Sequence, residues 1–561
     1  MFQQTWVKLT VNILGVIILN VIAAFYFVRL DLTEERRYTI TEPTKKILRE
    51  LKGEVYFKIY LTGQLPAGFR RLKNTIQETL DEFQTYAGKN LKYRFIDLNE
   101  EKNIQKRNKL YKEIIDKGIV PTNIFDKENG QRVERIIFPG ALVYYDKYEM
   151  PLMLFKTIDQ RIQGAPSPEQ ILNQSVENVE YNLISAIKKI TQTERKRIGF
   201  IEGHGELQGK EIADIQNTLQ ETYDVYRVNL PQSEVIEGLD AIIIAKPDSA
   251  FSENDIFKID QFIMRGGKAL FFLDAVGVYM DSVLKDKGSF TFPYSHKLGD
   301  MLFRYGVRVN TDLLQDLNAG VIPLVVGNMG TQPQVRLIPW VYHPLLNNFS
   351  KHPIVKNLGA LHTKFISSVD TVKAKGIRKT PLVFTSKYTK KVGTPTFVTF
   401  NEARKQPNPQ TFKKGMTPVA WLLEGKFTSV FKNRLTDADK RFKDFIPEGQ
   451  PSKILIFGDG DLIKNDIHPK TQKPIPLGLD PILQTNFSNK DFIINALDYM
   501  LDDKGIILAK NKEVILRPLD KLRIIEERSF WQIFNLVLPT CLIVLFGIVW
   551  FAWRKAKFGK K

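Results

Sequence analysis

Two uninterrupted apolar stretches bracket an otherwise mixed pattern of hydrophobic and polar positions. Residues 529–553 read SFWQIFNLVLPTCLIVLFGIVWFAW, with no charge between Arg528 and Arg554. A helix of that length crosses a hydrocarbon core of roughly 30 Å and pairs its own backbone polar groups. Residues 9–28 are likewise uncharged between Lys8 and Arg29. That run is longer than the apolar region of a cleaved leader, and its Ala23-Ala24 pair is followed by bulky aromatics. It is therefore expected to stay as a second transmembrane helix. Trp6 flanks the first span, and Trp531, Trp550 and Trp553 give the second its interfacial belts. Pro539 lies where membrane helices tolerate a kink. The basic tail, residues 554–561, holds the C-terminus in the cytoplasm. Two spans then return residues 1–8 to the same side and place residues 30–528 beyond the membrane, in a bacterium the periplasm.

Inside that body the periodicity changes twice. Thr41 caps a helix that opens at Glu42-Pro43-Thr44. Strand-like alternation follows at 55–61 and 91–98, separated by helical spacing over 69–86. A helix runs through 111–115. Two strands, 134–138 and 141–145, are expected to join at Pro139-Gly140, with another at 150–155. This β-α-β-α-β-β order over residues 30–160 resembles a thioredoxin-like fold. It has no Cys-x-x-Cys, which leaves a binding scaffold without redox chemistry.

Residues 160–175 are rich in Pro, Gly, Gln and Ser and read as a linker, followed by an amphipathic helix over 176–191. Strand and helix then alternate. Strands are expected at 197–202, 226–230, 241–245 and 269–274, and helices at 212–223 and 253–265. Continuous apolar strands between helices predict a parallel sheet covered on both faces. Its closing strand is expected at 453–458, with a helix at 491–501. The second domain thus comprises 192–285 and 451–505, interrupted by a β-rich insertion at 286–450. Residues 506–528 form a membrane-proximal segment.

Charge and cysteine usage narrow the picture. The net charge of +19 is scattered among acidic residues rather than gathered in a stripe. That excludes a nucleic-acid interface and suits membrane lipid. The single cysteine, Cys541, lies in the apolar run. The body therefore has no disulfide, no Cys-based metal site and no thiol catalyst.

Candidate chemistry gathers where strands end. Phe200-Ile-Glu-Gly-His-Gly-Glu206 supplies Glu202, His204 and Glu206. The strand at 269–274 supplies Asp274, and Gly458-Asp-Gly-Asp461 supplies Asp459 and Asp461. Ligand sites in open α/β sheets form at carboxyl ends of strands. These six residues are candidate ligand contacts, and His with carboxylates at that place suits a cation or a positioned water. The competing reading is structural, with glycines punctuating turns and acids capping helices. His343, His352 and His362 are too far apart for one helix face and read as loop histidines. No nucleophile elbow, Walker loop, dinucleotide fingerprint or zincin motif occurs. No catalytic residue, metal site or cofactor is assigned, and energy must come from another subunit.

Taken together, Tyr38-Thr39-Ile40-Thr41, the Gly-His-Gly-Glu turn, Gly266-Gly267-Lys-Ala-Leu-Phe-Phe-Leu-Asp274 and the terminal spans form a recognisable set. The chain resembles the auxiliary, substrate-binding-like components of ABC-2-type transport systems. The resemblance implies a non-enzymatic inner-membrane protein that works with an ABC permease subunit and a cytoplasmic ATPase subunit, alone or as an oligomer, in gliding motility and linked secretion. The second domain is similar to class I glutamine-amidotransferase-like, flavodoxin-like α/β domains. The nucleophilic Cys of that enzyme family is missing after Asp274, so no catalytic role carries over. An envelope scaffold without transport, or a metal-dependent hydrolase using the strand-end residues, is the alternative.

Overall fold

The computed structural model describes residues 13–16, 39–128, 131–155, 167–192, 194–285, 287–329, 332–435, 439, 444–511 and 527–558. Trp6, most of the expected first span at 9–28, the first part of the expected linker, most of the membrane-proximal segment and the last three residues lie outside the described residues.

The first chain segment builds a small sheet. After helix α1 (Glu42–Arg49) comes β1 (Val55–Ile59), whose alternate residues are buried. Helix α2 (Ala67–Ala87) packs Leu72, Ile76, Leu80 and Phe83, one helical face, against Val55, Phe57 and Ile59. Strand β2 (Leu91–Phe95) lies parallel to β1. Helix α3 (Ile104–Asp116) leads to a hairpin of β3 (Thr122–Glu128) and β4 (Gln131–Ile137). Then β5 (Gly140–Tyr145) runs antiparallel to β1, and β6 (Tyr148–Met153) antiparallel to β5. The sheet order is β2-β1-β5-β6. The expected pairing of 134–138 with 141–145 does not form. β4 pairs backward with β3, and β5 pairs with β1 and β6 instead.

The expected linker also holds structure. Helix α4 (Pro168–Glu177) starts at a capping box, with Ser167 and Gln170 exchanging side-chain bonds with each other's backbone N–H. The Pro and Ser that read as loop are here the start signal of a helix. Helix α5 (Val179–Thr191) follows a break at Asn178.

The second sheet has eight strands. Five are parallel: β7 (Arg197–Glu202), β8 (Asp224–Asn229), β9 (Ala241–Ala245), β10 (Lys268–Phe272) and, far downstream, Glu448–Phe457. Helices α6 (Ala213–Gln220) and α7 (Glu253–Met264) join the early ones. A long hairpin of β11 (Ala319–Met329) and β12 (Gln332–Leu346) follows. Part of the stretch expected as an insertion extends this same sheet. Strands β13 (Asn348–Phe349), β15 (Ile377–Phe384) and β16 (Pro418–Thr428) add antiparallel to the edge formed by β17 (Glu448–Phe457), while the two-residue β14 (Leu361–His362) pairs with β12. Final order is β13-β15-β16-β17-β10-β9-β7-β8.

Both faces of this sheet are buried. Ile243, Leu270 and Leu455 face Phe492, Ala496 and Leu497 of helix α8 (Asn489–Met500). Ile244, Phe271 and Ile456 face Ile259, Phe262 and Ile263 of α7. Residues 514–561 form a separate unit. Its helix α9 (Arg528–Phe558) contains Pro539 and, among the described residues, is the one helix long and apolar enough to cross a membrane.

Leu455 is fully buried in the middle of the larger sheet. Leu455→Ala is expected to lower unfolding free energy by about 2–5 kcal/mol, seen as a lower denaturant midpoint with an unchanged slope. Leu508→Ala, at a half-exposed position, should change it by less than about 0.5 kcal/mol.

Candidate functional site

Because β9, β10 and β17 are adjacent and parallel, their carboxyl ends meet at one place. Three of the predicted acids converge there. One oxygen from each of Asp274, Asp459 and Asp461 lies within 4.8 Å of the others. The sequence reading missed the residue at their centre. Lys246, the first residue after β9, puts its Nζ 3.0 Å from Asp274 Oδ2 and 2.5 Å from Asp461 Oδ2. Its backbone is left-handed (φ 52°), an unusual state for a residue with a side chain. Gly460 makes the approach feasible, since a Cβ there would sit 2.5 Å from Lys246 Cβ.

Backbone donors complete the cluster. Gly460 N donates to Asp274 Oδ1 (2.6 Å), Asp461 N to Asp459 Oδ1 (2.7 Å) and Lys364 N to Asp459 Oδ2 (2.9 Å). Burial pushes the carboxyls of Asp274 and Asp459 up, and the neighbouring carboxylates push them further. Burial also acts against the charge of Asp461, but Lys246 and Lys364 outweigh it and hold Asp461 down at about 2. The same pairing outweighs burial at Lys246 and raises its pKa. Three carboxylates this close form a ligand set for a divalent cation. Here the ammonium of Lys246 supplies the positive charge.

His204 and Glu206 form a second group. His204 Nε2 lies 3.2 Å from Asp255 Oδ2, and its Nδ1 lies 3.4 Å from Glu206 Oε1. The ring stacks on Phe251 at 3.8 Å. Asp255 also accepts from Ser252 Oγ (2.6 Å) and Lys258 Nζ (2.8 Å). Burial opposes charge on His204, yet the Glu206 and Asp255 carboxylates prevail and raise its pKa. Gly205 (φ 75°) allows the turn; a Cβ there would meet Asp248 Oδ1 at 1.7 Å. Glu202 belongs to neither group, since it pairs with Arg227 on the neighbouring strand.

The three histidines also separate. His343 lies in β12 and His362 in β14, with ring centres 5.8 Å apart, so neither is a loop residue. His352 packs against Tyr499 instead. Two signals would have found the missed residues. Lys246-Pro247 directly follows five buried apolar positions, and Ser252-x-x-Asp255 is a helix start.

Comparison with known proteins adds the following. A family model described as "ABC-type uncharacterized transport system" matches residues 195–496. A second, described as a domain of unknown function (DUF7088), matches residues 34–144. No curated protein matches. Among solved structures, the "mmIFT52 N-terminal domain" is 12% identical, with a TM-score of 0.30, over 55% of this chain and 98% of that one. A score that low carries no argument about this chain.

Two outcomes test the site's electrostatics. Lys246→Met leaves buried carboxylates without their counter-charge and is expected to cost about 3–5 kcal/mol. Those carboxyls would then take up protons more readily folded than unfolded, so the variant should regain stability as pH falls from 7 to 5. Denaturation midpoints across that range measure it. His204 has a raised folded pKa. Its contribution is complete below the unfolded value of about 6.5 and disappears as pH rises through the folded value. Wild-type stability should therefore fall across that window, and His204→Gln should flatten the profile.

Proposed function

This chain belongs to the ABC-type uncharacterized transport system family, whose model covers more than half of it, and we propose that it is a non-enzymatic, membrane-anchored auxiliary component of an ABC-2-type transporter. The family match is the observation that carries this reading. Helix α9 supports the anchor: its 30 apolar-rich residues, at 1.5 Å each, reach about 45 Å. In this reading residues 9–28 form the other span, both termini are cytoplasmic and the α/β body is periplasmic. A permease subunit and a cytoplasmic ATPase are its partners.

The finer assignments rest on topology and resemblance. The order β2-β1-β5-β6, with one parallel and two antiparallel pairings, supports a thioredoxin-like first domain. The five parallel strands support an amidotransferase-like second domain. Likeness to the gliding-motility protein GldG points to motility and linked secretion. Lys246 already pairs with two of the three strand-end acids, which favours binding or scaffolding over hydrolysis at that cluster.

Purification of the chain from native membranes in mild detergent is expected to bring down a permease and an ATPase in fixed ratio. Recovery of the intact chain without either one refutes the transporter reading and leaves an envelope scaffold.

A further inference from the structure

We propose that His343 and His362 provide the imidazole ligands of a site for a late first-row divalent cation such as Zn2+. The inference stands on side-chain geometry and does not depend on the transport reading.

Strand β14 pairs antiparallel with β12, with His362 opposite Leu345. The continuing pairing sets residue 364 opposite 343, so His343, His362 and Lys364 lie on one face. That face borders a cavity of about 180 Å3, which Asp461, Asp466 and Asp480 also line. His343 is 7% exposed, and its Nε2 has no hydrogen-bond partner. A buried imidazole nitrogen without a partner needs a water or an ion. The two ring centres stand 5.8 Å apart with planes at 75°. A Zn–N bond of about 2.0–2.1 Å puts the metal about 3 Å from each ring centre, so the spacing admits one ion between the rings when a nitrogen of each faces it.

The surroundings favour a cation. Burial, reinforced by each other's proximity and by Lys364, pushes His343 well down; burial and Lys364 bring His362 to about 4. Both rings thus offer neutral nitrogen at neutral pH. The lining acids outnumber the lining lysines, Lys364 and Lys464. Lys364 is turned to Asp466 (3.3 Å) and Lys464 to Glu211 (2.9 Å). Among the described residues no carboxylate closes a three-ligand set with the two rings, so water completes the shell. The bound ion would fasten β12 to the segment that begins at β14.

The test uses the untagged full chain in detergent, stripped of metal, with Zn2+ titrated by calorimetry and Co2+ by visible absorption. One equivalent is expected to bind, with a raised melting temperature and a Co2+ spectrum typical of nitrogen ligation. His343→Gln and His362→Gln should each weaken binding at least about tenfold. His352→Gln, outside the cavity, should leave it unchanged, and Lys364→Met, which removes a competing cation, should tighten it. Melting curves confirm that each variant is folded. Absence of binding by the folded wild type overturns the proposal. So does wild-type affinity in both histidine variants, or loss of binding in Asp274→Asn alone, which would put the ion among the strand-end acids. Weaker binding in Lys364→Met would mean that an anion is held and would overturn it too.

Discussion

The ammonium of Lys246, held between Asp274 and Asp461, is the contact on which the strand-end architecture depends. Burying two or three carboxylates together is prohibitive unless a cation and backbone donors meet them, because the desolvation cost per ion is several kcal/mol. The chain meets that requirement with parts from four places. Lys246 comes from the end of β9, Asp274 from β10, the Asp459 and Asp461 turn from β17, and a backbone N–H from Lys364. Removing Lys246 leaves the carboxylates uncompensated, so the cluster fixes how these segments meet. A greasy replacement of similar volume can pack as stably, but does not specify which loop ends where.

That requirement explains why residues 286–450 are not a passenger. They leave the sheet after β10, build the β11–β12 hairpin, and return as β13, β15 and β16 along the edge of β17. On the way they deliver Lys364 to Asp459 and Asp466, and His343 and His362 to the neighbouring cavity. The strand that closes the parallel sheet and the segment that interrupts it are thus bound by the same charges. Asp260 repeats this logic on the opposite face. Fully buried on α7, it accepts from Tyr305 Oη (2.8 Å), Ser429 Oγ (2.7 Å) and Val430 N (3.1 Å), joining α7 to two parts of the returning chain.

Much of this was legible in the residues, for identifiable reasons. AIIIA at 241–245 and KALFF at 268–272 are short, wholly apolar runs between amphipathic helices, which only a two-faced parallel sheet accommodates. The remote partner at 453–458 follows from the same pattern. Strand β16 escaped because PVAWLLEGKFT buries Val419 and Ala420, then Leu422 and Leu423, a pairing that matches neither strict alternation nor a continuous run. Helix α4 escaped because Ser, Pro and Gln signal a loop by composition and a capping box by spacing. At the site, the acids were visible at strand ends. Lys246 was passed over despite its place directly after the strand, since a lysine there ordinarily points to water. Sequence spacing also cannot show that His343 and His362 meet, because their proximity depends on a two-residue pairing across eighteen positions.

A division of labour follows from where the charges are spent. The strand-end carboxylates, which in a hydrolase would stay free to hold a metal or activate water, are committed to a lysine and to backbone amides. A sheet end fixed in this way suits a binding or coupling module. Membership of a transport family is consistent with that economy. His343 Nε2, buried without a hydrogen-bond partner, marks a place where the molecule retains capacity to bind something else. It lines the cavity that Asp461 also borders, where the returning segment meets the parallel sheet.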